Sequence, residues 1–566
     1  MFCRILLLSL VAVTSQAQSP DASDWGHYGG DIFGQRYSSL AEIDRSNVAK
    51  LAVAWQFRTG ELGEGLASAD RLAFEATPVL AFGLLYLSTP ADTVIALDPA
   101  TGRERWRYDP HLDRLKPYAQ VTSRGVSVWE DAAPSATCAR RVFIGTVDAR
   151  LIGLNAETGQ PCGMFGRNGI LDLKEGAQVR DPNRYSITSP PALYGGLIIV
   201  NLTSGGVRAF DARSGAARWT LDSAPSSAVM SVDPDRGLVF VPSSNTLLAL
   251  DVTTGKRVWQ QELVHHDLWG FDLAAQPALL DLESNKAPSS VLLQATPTGM
   301  LFVLARGSGK PFVPIVEQKV PTSRMPGVHA SLTQPFPVTP SLVIQNRLEP
   351  QQAWGITFWD RTRCRKMLER YRNEGIYTPP DARGTLLWPG PQSGVGWGGV
   401  AFDARRQRVF AAVNHWPALM TSQDAKPLLS PLGLPCTPPP WGTLASVDLI
   451  KNEIVWQVPL GSTQNMGPWF APARNFGTPN LAGPIVTAGD LVFIGATTDR
   501  YFRAFDLETG RELWKHRLPA GGQATPMTYR TGPHHRQFVV IAAGGHGDWD
   551  WDTPRGDYVI AFALPK

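Results

Sequence analysis

The stretch FRAFDLETGRELW (502–514) decides the fold of this chain. A short apolar segment ends in Asp506, a turn closes on Gly510, and Trp514 follows four residues later. The aspartate can hydrogen-bond its own turn, and the glycine can adopt a positive φ between two segments of alternating apolar residues. The stretch therefore predicts a β-hairpin that carries a tryptophan on its return strand.

The same phrase recurs along the chain. Clear copies are VIALDPATGRERW (94–106), VRAFDARSGAARW (207–219) and LLALDVTTGKRVW (247–259), and less regular copies begin at Leu151, Leu301 and Leu444. One hairpin every ~40–60 residues is typical of a radial array of small sheets. A lone sheet of this kind leaves both faces in water, so we expect the sheets to pack as a ring with the tryptophans between neighbours.

The N-terminus has the features of a secretory signal peptide. Arg4 precedes the apolar run ILLLSLVAV (5–13), and Ser15-Gln16-Ala17 is a small-x-small cleavage signal. The run is too short to span a bilayer as a stable helix. We expect a signal peptide over 1–17, cleavage near Ala17, and a periplasmic or secreted domain over 18–566.

The charge balance excludes one large class of partners. The chain has 53 basic and 50 acidic residues, so it has no strongly basic overall charge that would favour nucleic acid. Beyond the N-terminus no apolar run is long enough for a membrane helix, which leaves at most a peripheral membrane contact. The proline-rich interval from about 316 to 440 is interpreted as insertions within the array, with one candidate helix at 356–375.

Four cysteines remain after cleavage, and an exported chain can pair them. Cys138 and Cys162 flank one hairpin unit and are the preferred disulfide, although the full connectivity stays open. No CxxCH phrase for covalent haem and no spacing typical of structural zinc occurs.

Several further segments resemble one family, the pyrroloquinoline-quinone (PQQ) dehydrogenases, in its glucose/quinate/shikimate branch. The segments follow the family's order over nearly the whole mature chain and include WGHYGGDIFGQRYSSLAEID (25–44), FEATP (74–78), VHHDLWGFDLAAQPALLDL (264–282), YTPPDARGTLLWPG (377–390) and AAGGHG (542–547). The resemblance implies an all-β fold, an eight-bladed β-propeller whose C-terminal strand closes the ring against the N-terminal segment.

The resemblance also implies an activity. Members of the family oxidise a sugar, polyol or alcohol with PQQ and a divalent cation, Ca²⁺ or Mg²⁺, and pass electrons to ubiquinone or another acceptor. The cation acts as a Lewis acid, a carboxylate acts as the base, and the cofactor supplies the redox chemistry.

The family's site residues map onto five positions of this chain. Asp267, in HHDLW, matches the catalytic base and a metal ligand. Glu75 in FEATP, Arg124 in SRGV and Thr188 in ITSPP match residues that contact the cofactor, and His546 in AGGHG matches a histidine near the quinone and the electron acceptor.

Other positions depart from the family's pattern. Pro297 stands where a lysine reaches the quinone, Ser227 where a tryptophan stacks on it, Gly396 where an asparagine lies, and Trp129 where a histidine lies. The acidic metal-binding phrase is shortened away in IIVNLTSGGVRAFD (198–211). Together these changes indicate a pocket that binds PQQ weakly, differently or not at all.

Two alternatives to the dehydrogenase therefore stay open. The first is a non-catalytic propeller without PQQ that serves as a binding or assembly scaffold, because a fold alone does not decide function. The second is a hydrolase or lyase that reuses Asp267 and His266 without the cofactor, for which these two neighbours are the only support.

Overall fold

A computed structural model describes residues 25–132, 138–283, 288–343, 347–421, 424–468, 470, 473–531, 535–547, 551 and 553–565. The expected signal peptide over 1–17 lies outside these residues. The described chain consists mainly of short antiparallel strands, with one α-helix. No helix in these ranges is long and apolar enough to cross a bilayer.

The hairpin repeats form sheets of three to five strands, which we number in chain order. Sheets 1 to 4 are formed by consecutive strands. Their bounds are Val79–Ala81, Leu84–Ser88, Val94–Leu97 and Glu104–Tyr108 for sheet 1; Ser127–Glu130, Arg140–Gly145, Arg150–Asn155 and Ile170–Asp172 for sheet 2; Ala192–Tyr194, Leu197–Leu202, Gly206–Asp211 and Ala217–Leu221 for sheet 3; and Ser231–Asp233, Leu238–Ser243, Thr246–Asp251 and Arg257–Glu262 for sheet 4.

Sheets 5 to 8 continue the series, and two of them take a strand from the N-terminus. Tyr37–Ser38 pairs in parallel with the first strand of sheet 7, and Ala52–Arg58 pairs with the last strand of sheet 8. The bounds are Ala278–Leu282, Ser289–Ala295 and Leu301–Ala305 for sheet 5; Val400–Asp403, Arg408–Asn414, Gly442–Asp448 and Glu453–Pro459 for sheet 6; Ile485–Thr487, Leu491–Ile494, Tyr501–Asp506 and Glu512–Arg517 for sheet 7; and Met527–Thr531, Arg536–Ala543 and Tyr558–Ala563 for sheet 8.

The repeated tryptophan joins one sheet to the next at six places in the described chain, in the way that the sequence predicts. At five of these places its indole N–H donates to a carbonyl in the turn of the following repeat and its ring lies on the glycine of that turn, whereas Trp514 donates to Leu51, directly before strand 52–58. A Cβ at that glycine would lie 2.4 to 2.7 Å from the ring in five repeats, so only glycine fits. The donor–acceptor pairs are Trp55–Pro99, Trp106–Ala156, Trp219–Val252, Trp259–Arg306, Trp456–Leu507 and Trp514–Leu51.

The two less regular repeats that lack the tryptophan also lack a full return strand after the turn. Directly after the turn the return is one isolated bridge, Leu154–Pro161 in sheet 2 and Leu304–Pro311 in sheet 5. In sheet 2 pairing resumes nine residues later with the short strand Ile170–Asp172. A proline has no N–H to donate to a ladder, so it ends regular pairing at this point. The third irregular copy, from Leu444, keeps its tryptophan and both strands.

The N-terminal segment 25–38 ties together the first strands of five sheets. Backbone N–H groups of these strands donate to its carbonyls: Leu80 to Trp25, Val232 to Ile32, Leu279 to Phe33, Phe402 to Gln35 and Val486 to Arg36. The span from Trp25 to Arg36 reaches at most about 40 Å when fully extended. The first strands of sheets 1, 4, 5, 6 and 7 therefore converge on one short segment.

The interval after sheet 5 contains insertions, in agreement with the sequence interpretation. They comprise the hairpin Ile315–Lys319 with Thr333–Pro337, the small sheet of Thr385–Leu387, Ala418–Thr421 and Asp424–Pro427, and helix α1, Phe358–Arg370. The helix predicted at 356–375 is thus confirmed with closer bounds. Remaining short elements are the strand pair Leu72–Ala73 and Val121–Thr122 and the 3₁₀ turns Val48–Lys50, Ala69–Arg71, Pro350–Gln352 and Thr463–Asn465.

Two disulfides are present. Cys138 pairs with Cys162, which confirms the preferred pair, and Cys364 pairs with Cys436. The second bond ties α1 to the segment that precedes sheet 6's third strand, so it fixes the helix to the body of the protein.

Candidate functional site

The loops that lead into the first strands of the sheets supply the candidate site. Glu75 lies four residues before Val79, Thr188 four before Ala192, and Ser227 four before Ser231. Arg124 lies three residues before Ser127. Equivalent positions of neighbouring sheets lie at the same end of those sheets, so residues far apart in sequence come together there.

Glu75 and Arg124 form a buried ion pair. Arg124 Nε lies 2.9 Å from Glu75 Oε2, and both side chains are almost completely excluded from solvent. Burial alone would raise the pKa of Glu75, but the charge of Arg124 and a hydrogen bond from His546 outweigh it, and the pKa lies below its usual value. Glu75 is therefore held as a carboxylate.

Arg124 connects sheets 2, 3 and 4 at this end. Its Nη1 donates to Thr188 Oγ1 at 3.3 Å and to the backbone carbonyl of Ser227 at 2.7 Å. Its guanidinium carbon lies 5.4 Å from the ring centre of Trp397, in the loop before sheet 6. The structure thus brings Glu75, Arg124 and Thr188 together, as expected, and adds Trp397, which the sequence did not single out.

His546 completes this group from sheet 8. Its Nε2 lies 3.0 Å from Glu75 Oε1, and its backbone bridges to Ala73, two residues before Glu75. Because a carboxylate can only accept, Nε2 carries the proton in this hydrogen bond. The residues that the sequence places near the cofactor therefore form one contact network, which we call the Glu75 network (Glu75, Arg124, Thr188, His546).

Asp267 lies outside the direct contacts of the Glu75 network. It follows the last strand of sheet 4, and its Oδ1 accepts the backbone N–H groups of Trp269 and Gly270 at 2.8 and 3.1 Å. Burial raises its pKa above the usual value, and the nearby Asp272 adds to the increase. A carboxylate of raised pKa, held by its own turn, is suited to accept a proton.

Tyr377 is the neighbour of Asp267 that the sequence analysis did not single out. Burial raises the pKa of its hydroxyl and the charge of Asp267 adds to the increase. Its ring packs edge-on against Trp269, 5.2 Å between centres, and the Trp269 indole donates to Thr378 O. The YTPP phrase thus packs directly on the HHDLW phrase. The presence of Tyr377 in YTPP, a segment that resembles the family, was the signal that could have pointed to it.

The positions that depart from the family's pattern are now located. Ser227 uses its backbone carbonyl to bind Arg124 and presents no ring. Pro297 is buried in sheet 5 against the Gly394 loop, where it offers no N–H. Trp129 donates its indole N–H to Gly195 O and packs on Phe143, a structural role in sheets 2 and 3. Gly396 has open space around it, so a larger side chain would fit there.

Four of the buried polar atoms that lack a hydrogen-bond partner among the described residues belong to the Glu75 network and its neighbour Trp397. They are Arg124 Nε, Glu75 Oε2, His546 Nδ1 and Trp397 Nε1. The Nε–Oε2 contact is a close ion pair that is not aligned as a hydrogen bond. A guanidinium with unused donors, beside an aromatic ring, fits the carboxylate end of a planar acidic cofactor such as PQQ.

The residues present do not fit the divalent cation. In the ranges that the structure describes, no group of three or more His, Cys, Asp or Glu side chains is arranged to hold a metal ion. The roles of Asp267 as a metal ligand and as the catalytic base therefore both stay sequence predictions.

A family model, glucose/ethanol/alcohol dehydrogenase with a PQQ β-propeller domain, matches residues 25–428 and 420–539. The quinoprotein glucose dehydrogenase of Escherichia coli is 36% identical, over 99% of this chain and 81% of its own length. The quinate/shikimate dehydrogenase (quinone) of Acinetobacter baylyi is 33% identical, over 96% of this chain and 79% of its own.

A solved structure with the same fold is a europium-containing methanol dehydrogenase. It superimposes with a TM-score of 0.70 at 20% identity and covers 96% of this chain and 99% of its own. At that identity the likeness concerns the fold.

Proposed function

This chain belongs to the family of PQQ-dependent glucose, ethanol and alcohol dehydrogenases with a β-propeller domain, and from that premise we propose that it oxidises a sugar, polyol or alcohol. The observation that carries the proposal is the Glu75 network. Four residues from sheets 1, 2, 3 and 8, up to 471 positions apart in sequence, meet as one buried charged group.

In the proposed mechanism Arg124 binds and orients a carboxylate of PQQ, and Thr188 supplies a hydroxyl beside it. The cofactor held there would supply the acceptor for the hydride that leaves the carbon bearing the substrate hydroxyl. Asp267 takes the hydroxyl proton on Oδ2. Both backbone hydrogen bonds to this carboxylate end on Oδ1, so the lone pairs of Oδ2 stay available for the proton. Glu75 keeps Arg124 fixed while the site turns over.

We also propose that the eight sheets are the blades of one closed propeller over 18–566. Three observations support this: tryptophan contacts join six neighbouring pairs of sheets, the segment 25–38 is bound by the first strands of five sheets, and strand 52–58 joins the N-terminus to the last strand.

The proposal extends to the setting of the enzyme. The expected signal peptide and the two disulfides favour export to the periplasm or the medium. His546 lies in the loop of sheet 8 beside Glu75, which makes this side of the site our candidate for contact with ubiquinone or another electron acceptor.

The test is binding of PQQ to the purified protein, followed by its absorbance after gel filtration, with and without Ca²⁺ or Mg²⁺. We expect Arg124→Gln to weaken binding by roughly 30-fold, because a charge-assisted hydrogen bond is worth about 2 kcal/mol. The matched control is Arg208→Gln, a partly buried arginine of sheet 3 that donates to Leu173 O. Equal loss in both variants, or no PQQ retained by the unchanged protein, would count against the proposal.

A second candidate function, the PQQ-free scaffold, is favoured by Pro297 and Ser227. Neither residue supplies the cation or the aromatic surface that the family pattern has there. Pro297→Lys combined with Ser227→Trp tests it: if only this double variant retains PQQ, the scaffold is favoured. If the unchanged protein already retains PQQ and oxidises a sugar or alcohol, the scaffold is excluded.

A further inference from the structure

Helix α1 carries an unusual concentration of positive charge. Its thirteen residues include five basic and two acidic side chains, a net charge of +3 that equals the formal charge of the whole chain. The acidic Asp360 is buried and accepts the N–H of Ile356, so Glu369 is the one acid on the exposed side. None of the five basic residues forms a salt bridge within the described part of the chain; they are Arg361, Arg363, Arg365, Lys366 and Arg370.

Two aromatic side chains stand exposed at the start of this helix. Phe358 is 87% exposed and Trp359 is 52% exposed, while the rest of the helix's apolar side chains pack inward around Leu368 and Cys364. Arg363 lies over the Trp359 ring, 5.6 Å from its centre. Transfer of such rings out of water is favourable, and aromatic rings beside basic residues are typical of the membrane–water interface.

An arginine-lined cavity continues the basic surface beyond the C-terminal end of α1. It has a volume of about 370 Å³ and is lined by Arg324, Arg347, Arg370, Arg372 and Arg383 together with Glu369 and Glu374. Glu374 pairs with Arg324 and Arg372, and Arg347 lies 3.4 Å from Glu349. Arginines bind phosphate groups through paired N–H donors, so this surface favours phosphate-bearing headgroups.

Helix α1 is fixed to the body of the protein, and the residues before it pack in one cluster with Trp551. The disulfide Cys364–Cys436 fixes its inner face. Directly before the helix, Trp354 and Ile356 pack in one cluster with Trp416, Trp441 and Trp551, and Trp551 follows His546 by five residues. The basic helix is therefore joined by packing to the loop that carries His546.

We propose that α1, with Phe358 and Trp359, is a docking surface for the anionic headgroups of a lipid membrane. The basic side chains supply attraction to the negative surface and the two rings enter the interface. Docking in this way brings the His546 side of the molecule towards the lipid. The inference goes beyond the proposed function and needs no bound cofactor.

The test is sedimentation of the full mature protein, without PQQ, with vesicles of phosphatidylcholine alone or with phosphatidylglycerol added. We expect binding that requires phosphatidylglycerol and weakens when salt rises from about 0.1 to 1 M, where the screening length falls from about 10 to 3 Å. The variant Arg363→Gln/Lys366→Gln/Arg370→Gln should lose at least about tenfold in affinity, because each basic residue near an anionic surface contributes. Phe358→Ser should also weaken binding, and its fold-loss in affinity should be larger at high salt than at low salt, because screening leaves the rings a larger share of the attraction.

The matched control removes the same charge elsewhere. Arg103, Lys256 and Lys310 are exposed, lie in hairpin turns and form no salt bridge among the described residues, so Arg103→Gln/Lys256→Gln/Lys310→Gln should keep wild-type binding. Equal losses in both triple variants, or binding that ignores phosphatidylglycerol, would overturn the proposal. If the partner of α1 were an acidic protein, the unchanged protein would not bind vesicles, and that result would also overturn the proposal. Circular dichroism of each variant checks that the fold is kept.

Discussion

Asp267 has the local geometry of a base whose charge is only weakly stabilised. Two backbone N–H groups hold it, yet burial and the charge of Asp272 favour its neutral form. A carboxyl whose folded pKa is raised stabilises the fold when protonated, and that contribution is lost as the pH rises through the folded pKa. Its charge at neutral pH therefore serves the reaction and not stability.

The first prediction concerns the loss of this carboxylate. Asp267→Asn should lower kcat/KM for PQQ-dependent dye reduction by about 10²–10⁴-fold, because an amide cannot accept the proton. The amide oxygen can still accept from Trp269 and Gly270, and at neutral pH the free energy of unfolding should be unchanged or higher. Turnover that survives the substitution would remove Asp267 from the mechanism.

The second prediction uses the neighbouring charge. Asp272→Asn removes a like charge and should lower the pKa of Asp267, which shifts the acid limb of the kcat/KM profile to lower pH by up to about one unit. The measurement is the pH dependence of kcat/KM in both proteins. A limb that stays in place or moves to higher pH would show that Asp267 does not control it.

Single residues were predictable where a motif carries them. FEATP, SRGV, ITSPP and AGGHG each supplied one member of the Glu75 network, and the structure brings those members into contact. Trp397 and Tyr377 were missed because their roles depend on neighbours in other sheets, Arg124 and Asp267, which no local pattern reveals. Whether Asp267 shares a substrate with the network stays a prediction, since no direct contact joins them.

At the scale of elements, the tryptophan on the return strand is the unit that fastens neighbouring sheets. Trp514 shows this between sheets 7 and 8: its N–H donates to Leu51 O, and its ring packs on Phe502 and Phe562 at 5.8 and 5.3 Å. Burial of so large a ring contributes several kcal/mol.

The third prediction tests that fastening. Trp514→Ala should lower the free energy of unfolding by about 3–5 kcal/mol, and Trp514→Phe by about 1–2 kcal/mol, because phenylalanine keeps most of the ring but not the hydrogen bond. Urea unfolding followed by circular dichroism measures both. Trp359→Ala is the control, an exposed tryptophan whose loss should change stability by no more than about 0.5 kcal/mol.

Elements with a strong local signal were predictable from the pattern of residues alone. The hairpin phrase predicts most sheets because turn chemistry and alternation lie within about a dozen residues. The outer strand of sheet 8 comes from residues 52–58, a pairing that no pattern within 527–563 reveals and that was expected only from the family resemblance. In the copies without tryptophan, in sheets 2 and 5, Pro161 and Pro311 interrupt the pairing directly after the turn, a local signal that the repeat count alone overlooks.

At the scale of the whole molecule, the N-terminal segment is a shared part of many sheets. Residues 25–38 accept hydrogen bonds from the first strands of five sheets, and 52–58 complete the last one. The proposed ring therefore depends on a contact between the two ends of the chain.

The fourth prediction tests that contact. Ala52 and Ala563 are direct cross-strand partners, and such pairs have Cα separations of about 4.5–5.5 Å, within the range of a disulfide. Ala52→Cys with Ala563→Cys should form a disulfide on oxidation, so that protein nicked by protease near its middle runs as one band without reductant. Ala52→Cys with Ala216→Cys, in sheet 3, is the control that should stay open; an open first pair would contradict the proposed closure.

The pairing of residues 52–58 with 558–563 also has a consequence for how cells make this protein. Arg58 cannot pair until its partner Tyr558, 500 residues further along, has been synthesised. At about 5–20 residues per second a ribosome needs roughly 25 to 100 s to reach it. During that interval strand 52–58 has no partner strand, and its free edge can pair with another nascent chain. The yield of folded protein is therefore limited by association of incomplete chains during synthesis. Slower expression at a lower temperature should improve recovery.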